Sequence, residues 1–330
     1  AAAPGLRKGR ARALAVVAVV AAAQTGATQL TRSVQQGLRA PFFVMYVHTA
    51  MMILCLPAAR ALAPAGARMW AAPRLVAPFL GLWVAANYCY ICALRLAPAG
   101  LVQTMFGTAP ALVTLLSRLA LGEPLTLRRA LAVALALAGA TAVSSRGWAG
   151  GEGLQLLAGG ALALGAVLAA ACYKVGFKAA LGEPPAAAVL GFAGSLGLAA
   201  AVAGAPVSLA LSGAGVEDRW WRASANVDWP LLLGGGLIDV VYNTAIAYGI
   251  SISSPVFTAL GTILATPANL AVDALLRGEV PTVAEACGAA VIVASFFLLA
   301  TEPIAARAQV VKRSTVPGAA ALEDPRGVLG

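Results

Sequence analysis

The sequence predicts an all-α integral membrane protein of ten transmembrane helices arranged as two inverted five-helix repeats. Three observations lead there: extreme apolar content, regularly spaced polar linkers, and an internal echo between the halves. Of 330 residues 60% are hydrophobic, against 23 Lys or Arg and 13 Asp or Glu. A soluble domain of this length would carry about 80 charges. A mean hydropathy of +0.85 excludes a water-soluble globular fold, a disordered chain and a disulfide-stapled secreted scaffold. Roughly 200 apolar residues, at about 20 per crossing, supply on the order of ten spans.

The first predicted span, 13–31, follows Arg7, Lys8, Arg10 and Arg12 and is longer than the apolar core of a cleaved leader. A retained first helix is therefore expected; the chain does not begin with Met, which leaves an N-terminal truncation open at this stage. Spans two to five are 40–62, 75–96, 98–120 and 128–145, separated by the Pro-, Gly- and charge-rich linkers 63–74 and 121–127. After 146–153 come spans 154–180 and 185–212, then the longest linker, 213–229, with Glu217, Asp218, Arg219, Arg222 and Asp228. The last spans are 230–251, 253–276 and 284–302. The expected organisation is a cytoplasmic tail 1–12, a first repeat 13–145, a second repeat 154–302 and a cytoplasmic tail 303–330.

Charge placement sets the orientation. With the N-terminus in the cytoplasm, sixteen Lys or Arg fall inside and seven outside, which together make the 23. That asymmetry favours cytoplasmic ends and an even number of spans. The net charge of +10 is scattered between apolar runs and forms no basic stripe, so no nucleic-acid partner is expected. Cys55, Cys89, Cys92, Cys172 and Cys287 all lie in apolar runs. One His and a lone Cys-x-x-Cys leave a zinc site short of ligands, so neither metal nor cofactor is expected.

The echo between halves is colinear. Tyr88 and Ala93 recur as Tyr242 and Ala247, and Gly107-Thr108 recurs as Gly261-Thr262. The turn Gly122-Glu123-Pro124-Leu125-Thr126 recurs as Gly278-Glu279-Val280-Pro281-Thr282. Five spans is an odd number, so the second copy enters the membrane the other way up, the arrangement of many secondary transporters.

The chain resembles the drug/metabolite transporter superfamily and, within it, the F branch of solute carrier family 35, which includes proposed thiamine transporters. The resemblance runs from span one to span ten. It rests on Gly26-Ala27-Thr28-Gln29-Leu30-Thr31, Ala40-Pro41-Phe42-Phe43, Leu82-Trp83, Asn87-Tyr88, Tyr90 and Ala93-Leu94-Arg95. Leu115-Leu116-Ser117, Tyr173-Lys174-Val175, Phe177-Lys178, Asn243, Gly261-Thr262, Pro267, Asn269 and Asp273 extend it. It implies an EamA-like fold and alternating access around a midplane cavity. Two positions depart from the family pattern: Ala109-Pro110 replaces an Asn-Lys pair, and Asp239 replaces a bulky apolar residue.

An ionisable group at membrane depth costs about 2.5–3.5 kcal/mol on insertion scales, so it usually faces a cavity or a partner. Asp239, in mid-span eight after Gly234-Gly235-Gly236, reads as a counter-ion for a cationic solute or a proton-coupling carboxylate, with pairing to a neighbouring helix as the plainer reading. His48, the one histidine, is a proton relay or a packing residue. Asn87 and Asn243 need hydrogen-bond partners, and Tyr88 and Tyr242 offer aromatic faces to a cation, or serve in helix packing. Gln24, Gln103 and Thr108, with Thr28, Gln29 and Thr104, line a cavity or join helices. Lys174 and Lys178 snorkel to the headgroups or contact an anion at the cavity mouth. Asp273 and Arg277 are spaced for an ion pair.

No enzyme motif is present: no HExxH, no GxxxxGK[ST] and no GxSxG. The expected activity is secondary transport of a small polar solute, with thiamine or a similar organic cation favoured by the resemblance. A nucleotide-sugar antiporter and a non-transporting receptor or scaffold are the alternatives. The expected partners are a small-molecule solute and membrane lipid, with a homodimer as a further candidate. The expected location is the plasma membrane or the Golgi and other endomembranes.

Overall fold

The computed structural model describes residues 4–64, 71–97, 102, 105–144, 153–221, 227–278 and 280–301, with the side chains at 4–10, 32, 35, 36, 94, 95, 153, 156 and 277 outside that description. All regular structure in those residues is helical. The elements are α1 (Pro4–Gly37), α2 (Pro41–Ala50), a 3₁₀ turn (Met51–Leu54), α3 (Cys55–Leu62), α4 (Pro73–Leu96), α5 (Ala109–Leu121) and α6 (Leu127–Ser144). They continue with α7 (Gly153–Leu181), α8 (Ala186–Gly213), α9 (Trp229–Ile252), α10 (Pro255–Ile263), α11 (Ala265–Arg277) and α12 (Val283–Ala300). Eight segments are long and apolar enough to cross a membrane, and the fourth span is a shorter apolar helix, Met105–Leu121. The predicted spans thus correspond to helices; span two is α2 with the 3₁₀ turn and α3, and span nine is α10 with α11.

Among the described residues three spans are interrupted, each where a proline removes a backbone donor. Pro57 cannot bond the carbonyl of Ile53, and the chain tightens into the 3₁₀ turn Met51–Leu54. Pro110 and Pro267 do the same to the carbonyls of Phe106 and Ile263. Span four breaks at Thr108 and span nine at Leu264. Both spans then end on a left-handed glycine, Gly122 (φ 64°) and Gly278 (φ 69°), where a side chain would be strained. The recurring Gly-Thr and Gly-Glu segments of the sequence are therefore the same two structural events, seen once in each half.

The closest helix pairings cross from one half to the other. Helix α1 packs along α9, α4 along α7, span two along α8, and α6 along α12. Exchanging first with sixth, third with eighth and so on turns α1–α9 into α7–α4 and returns the other two pairs to themselves. Small residues permit these approaches, as expected where no hydrophobic force separates helix from lipid. A Cβ on Gly139 would lie 2.7 Å from the carbonyl of Gly288, and one on Gly288 would lie 2.7 Å from that of Gly139. Helix α8 likewise offers Gly194, Gly197 and Gly204 to Leu56, Met52 and Tyr46 of span two.

Polar contacts fix the ends. Glu217, from the long linker, is buried, and its carboxylate accepts from the backbone N–H of Phe42 at 2.7 Å and of Phe43 at 3.3 Å. It thereby caps α2, whose own N-cap residue, Ala40, has no side-chain acceptor. Trp220 stacks on Phe43 with ring centroids 4.5 Å apart. At the opposite end of the bundle Arg129 donates to Glu123 at 2.8 Å, both side chains being buried.

Candidate functional site

Helix α9 is amphipathic in an unusual sense: its two faces are lipid-exposed leucine and valine against a single carboxylate. Leu237 and Val241 are exposed at 50% and 49%. Asp239 lies two residues from each, about 200° around the helix, and so points into the bundle. It is about 15 Å from the start of a helix roughly 36 Å long, so it sits at mid-depth. Its Oδ2 is 2.6 Å from Nδ1 of His48 on α2, and Nε2 of His48 is 3.1 Å from the carbonyl oxygen of Leu232. His48 is buried; Asp239 keeps a quarter of its side chain accessible.

The glycine triplet makes this contact possible. A Cβ on Gly235 would lie 3.2 Å from Cε1 of His48, and one on Gly236 would run into Sδ of Met51. Gly234 has open space. The imidazole therefore rests edge-on against bare backbone, a position that two side chains would fill.

Helix α1 completes this side. It runs antiparallel to α9, pairing Val16 with Gly249, Gly26 with Ile238 and Leu30 with Gly235. That register sets Gln24 level with Val241, at the depth of Asp239, Tyr242 and Asn243. Gln24 Oε1 is buried with no hydrogen-bond partner. Asn243 donates to the carbonyl of Asp239 at 2.9 Å, and in the other half Asn87 donates to that of Trp83 at 2.8 Å. Among the described residues each amide oxygen is left without a protein donor. Tyr242, one residue before Asn243, lies within electrostatic reach of Asp239. The group offers one carboxylate–imidazole pair, neutral acceptors and an aromatic face, the inventory for a small polar or cationic solute.

Beside the pair lies an apolar recess of about 150 Å³ between α2, α4 and α8, lined by Phe42, Tyr46, Leu80, Trp83, Ala203 and Val207 among others. It does not include Asp239. The two are joined along α2, where Thr49 follows His48 and accepts from Trp83 Nε1 at 3.0 Å.

Comparison with known proteins agrees with this architecture. Residues 11–145 match the EamA-like transporter family. The chain is 27% identical over 282 residues to the mouse protein Solute carrier family 35 member F3, covering 79% of this chain and 66% of that one. It is 26% identical over 312 residues to mouse Solute carrier family 35 member F4, covering 88% and 63%. A crystal structure superposes with a TM-score of 0.69 at 18% identity, over 91% of this chain and 99% of the other, a likeness of fold.

The chain is similar to members of the drug/metabolite transporter superfamily.

Within that superfamily its relatives are of the F branch of solute carrier family 35, and it is a multi-pass membrane protein of the plasma membrane or endomembranes. The matched region spans about two thirds or less of these relatives' length. Seen on this superfamily fold, the predicted residues divide. Asp239, His48, Tyr242, Asn243 and Gln24 gather at one depth on α9, α2 and α1. Tyr88 turns aside to Phe42, with centroids 5.9 Å apart. The Thr108 hydroxyl donates to the carbonyl of Met105 at 2.6 Å, inside the break of span four. Gln103 lies outside the described residues.

The two lysines separate. Lys178 reaches Glu183 at 3.3 Å and the carbonyl of Ser251 at 3.1 Å, at the helix ends. Lys174 turns inward instead of snorkelling and donates to Thr262 Oγ1 at 3.5 Å. That places its ammonium near the C-terminal end of α10, where the macrodipole is negative. Gln29, read as a joint between helices, is one: it donates to Asn269 at 3.0 Å and to Asp273 at 3.1 Å. The Arg277 side chain, the expected partner of Asp273, lies outside the described residues. Sequence reasoning missed the Thr49–Trp83 bond, the Leu232 carbonyl and the Glu217 cap, because each joins groups far apart in sequence. Only Glu217, an acid within the long linker, gave a signal.

Proposed function

We propose that the protein is a secondary transporter that moves a small polar organic solute by alternating access between two inverted halves, 13–145 and 154–302. The solute favoured is an organic cation, thiamine or a molecule like it. The observation that carries this reading is Asp239, an ionisable side chain at mid-depth that faces away from lipid and keeps one side accessible. A carboxylate in that position costs free energy unless a cation or proton meets it. Tyr242 and the free amide oxygens of Asn87 and Asn243 supply the neutral contacts that a substituted aromatic cation takes. Alternating access is supported by the paired breaks at Thr108 and Leu264, since interrupted helices at matching positions mark the site in such carriers.

The rival solute, a nucleotide sugar, needs cations for its phosphates. Lys174 alone of the predicted pair is turned inward; Lys178 is engaged by Glu183 and Ser251. The anion reading needs both lysines inside, and with Lys178 held at the helix ends that condition is not met, which supports the cation.

The test is uptake of labelled thiamine into proteoliposomes holding the purified chain. Uptake above protein-free liposomes is expected, and Asp239→Asn should reduce the initial rate at least tenfold. Wild-type uptake no greater than in protein-free liposomes would remove thiamine as the solute. Unchanged kinetics in Asp239→Asn would reduce the residue to helix packing.

A further inference from the structure

We propose that His48 and Asp239 together form the proton-carrying group of the transporter, so that a proton is exchanged for a cationic solute. The inference rests on the cation reading above and adds what drives it.

The argument begins with counting protons. The Leu232 carbonyl is an acceptor only, so its 3.1 Å contact with His48 Nε2 is attractive only when that nitrogen carries hydrogen. Given Nε2–H, the 2.6 Å approach of Nδ1 to Asp239 Oδ2 needs a further proton between them. Either the imidazole is an imidazolium donating to a carboxylate, or Asp239 is a carboxylic acid donating to a neutral imidazole. Both arrangements hold the same number of protons and have zero net charge. The remaining arrangement, a neutral imidazole with its hydrogen on Nδ1, directs the Nε2 lone pair at the Leu232 oxygen. The tautomer is thus assigned from the acceptors around the ring. With hydrogen on Nε2 the pair is counted in its proton-loaded form.

Release of that proton to water on the open side leaves the pair at one negative charge and breaks its geometry. The imidazole loses one of its two bonds and cannot slide sideways, because Gly235 and Gly236 hold its edge. Helices α2 and α9 belong to different halves of the carrier, so charge at the pair is tied to how the halves fit. A cation arriving at the accessible side of Asp239 restores neutrality. Proton and solute therefore occupy the site alternately.

No second carboxylate or imidazole is carried by α1, α4, α7, α8, α10 or the 3₁₀ turn. Helix α8 carries no ionisable group within its span, and α10 and the 3₁₀ turn carry none. On α9 itself Tyr242 lies about one turn beyond Asp239. From α7, Lys174 is turned to Thr262 and Tyr173 packs against Phe79 and Trp83. From α4, Tyr88 rests on Phe42, and on α1 the described charged side chain, Arg12, lies at the far end of the helix.

The experiment uses the full chain in proteoliposomes with labelled thiamine, read in two ways. Counterflow against internal unlabelled thiamine reports transport without a driving gradient. Accumulation driven by an acidic lumen, with the membrane potential clamped, reports proton exchange. A one-to-one exchange supports about tenfold accumulation per pH unit. His48→Gln should lower the ratio of gradient-driven uptake to counterflow toward that seen without a gradient. Wild-type counterflow with no accumulation driven by the acidic lumen would overturn the proton inference and leave the cation carrier standing. Absence of counterflow in the wild type overturns both. Because the wild-type measurement decides, the outcome does not depend on the variant folding.

Discussion

The triplet Gly234-Gly235-Gly236 permits a graded test of the contact between α2 and α9. In a helix interior Gly→Ala gains about 1 kcal/mol when nothing obstructs the new methyl group. Nothing lies within 4 Å of a Cβ at position 234, so Gly234→Ala should stabilise by about that amount. At position 235 the methyl would meet His48 Cε1 at 3.2 Å and Nε2 at 3.3 Å, and the ring is held by bonds at both nitrogens. The ring must give by a few tenths of an ångström, and Gly235→Ala should come out about 1 kcal/mol less stable than wild type. Gly236→Ala collides with Met51 Sδ inside the tight 3₁₀ turn and should lose about 1–3 kcal/mol. Shortening the obstacle, in Gly236→Ala with Met51→Ala, should recover part of that loss relative to Met51→Ala alone. Thermal unfolding of purified variants in detergent, followed by loss of monodisperse protein, reads the order directly. Equal melting for all three, or the lowest for Gly234→Ala, would show that the triplet serves something other than seating the imidazole.

Two further predictions concern the ends of the bundle. Glu123→Gln leaves Arg129 with a weaker partner at a site where both side chains are at most 5% exposed, and should cost about 3–5 kcal/mol, visible as a lower melting temperature; an unchanged melt would mean that water reaches the arginine. Glu217→Ala removes both acceptors from the first turn of α2 and should cost about 1–2 kcal/mol. Amide exchange at Phe42 and Phe43 should quicken, and protection equal to wild type would assign the capping to another group.

Hydropathy alone yielded the spans, because an apolar run of membrane length has few other destinations. Gly122 and Gly278 were legible as a repeated turn, and their left-handed backbone explains why glycine recurs. Asp239 was legible as an anomaly of depth. Its partner was not: His48 lies 191 residues away, and nothing in a linear pattern specifies which helix crosses which. Lys174 illustrates the same limit. Its spacing from Lys178 suggests a shared fate at the headgroups, yet they lie one turn apart in depth, and the break in span nine gives only the deeper one an inward partner. Periodicity reports how far a residue lies from water; the choice of partner belongs to packing.

The seam of α6 with α12, where Gly139 crosses Gly288, is its own image under exchange of the halves, as is that of span two with α8. At the offset that relates Gly122 to Gly278, the image of this contact is Ala132 against Ser295, so trading the shapes of the two halves maps the seam onto itself and moves the glycine contact along it. The seams α1–α9 and α4–α7 do not map onto themselves, since each is the other's image. Whatever spacing and tilt α4 and α7 have now, α1 and α9 should adopt once the opening faces the opposite compartment. One conformer therefore already contains a sketch of its successor.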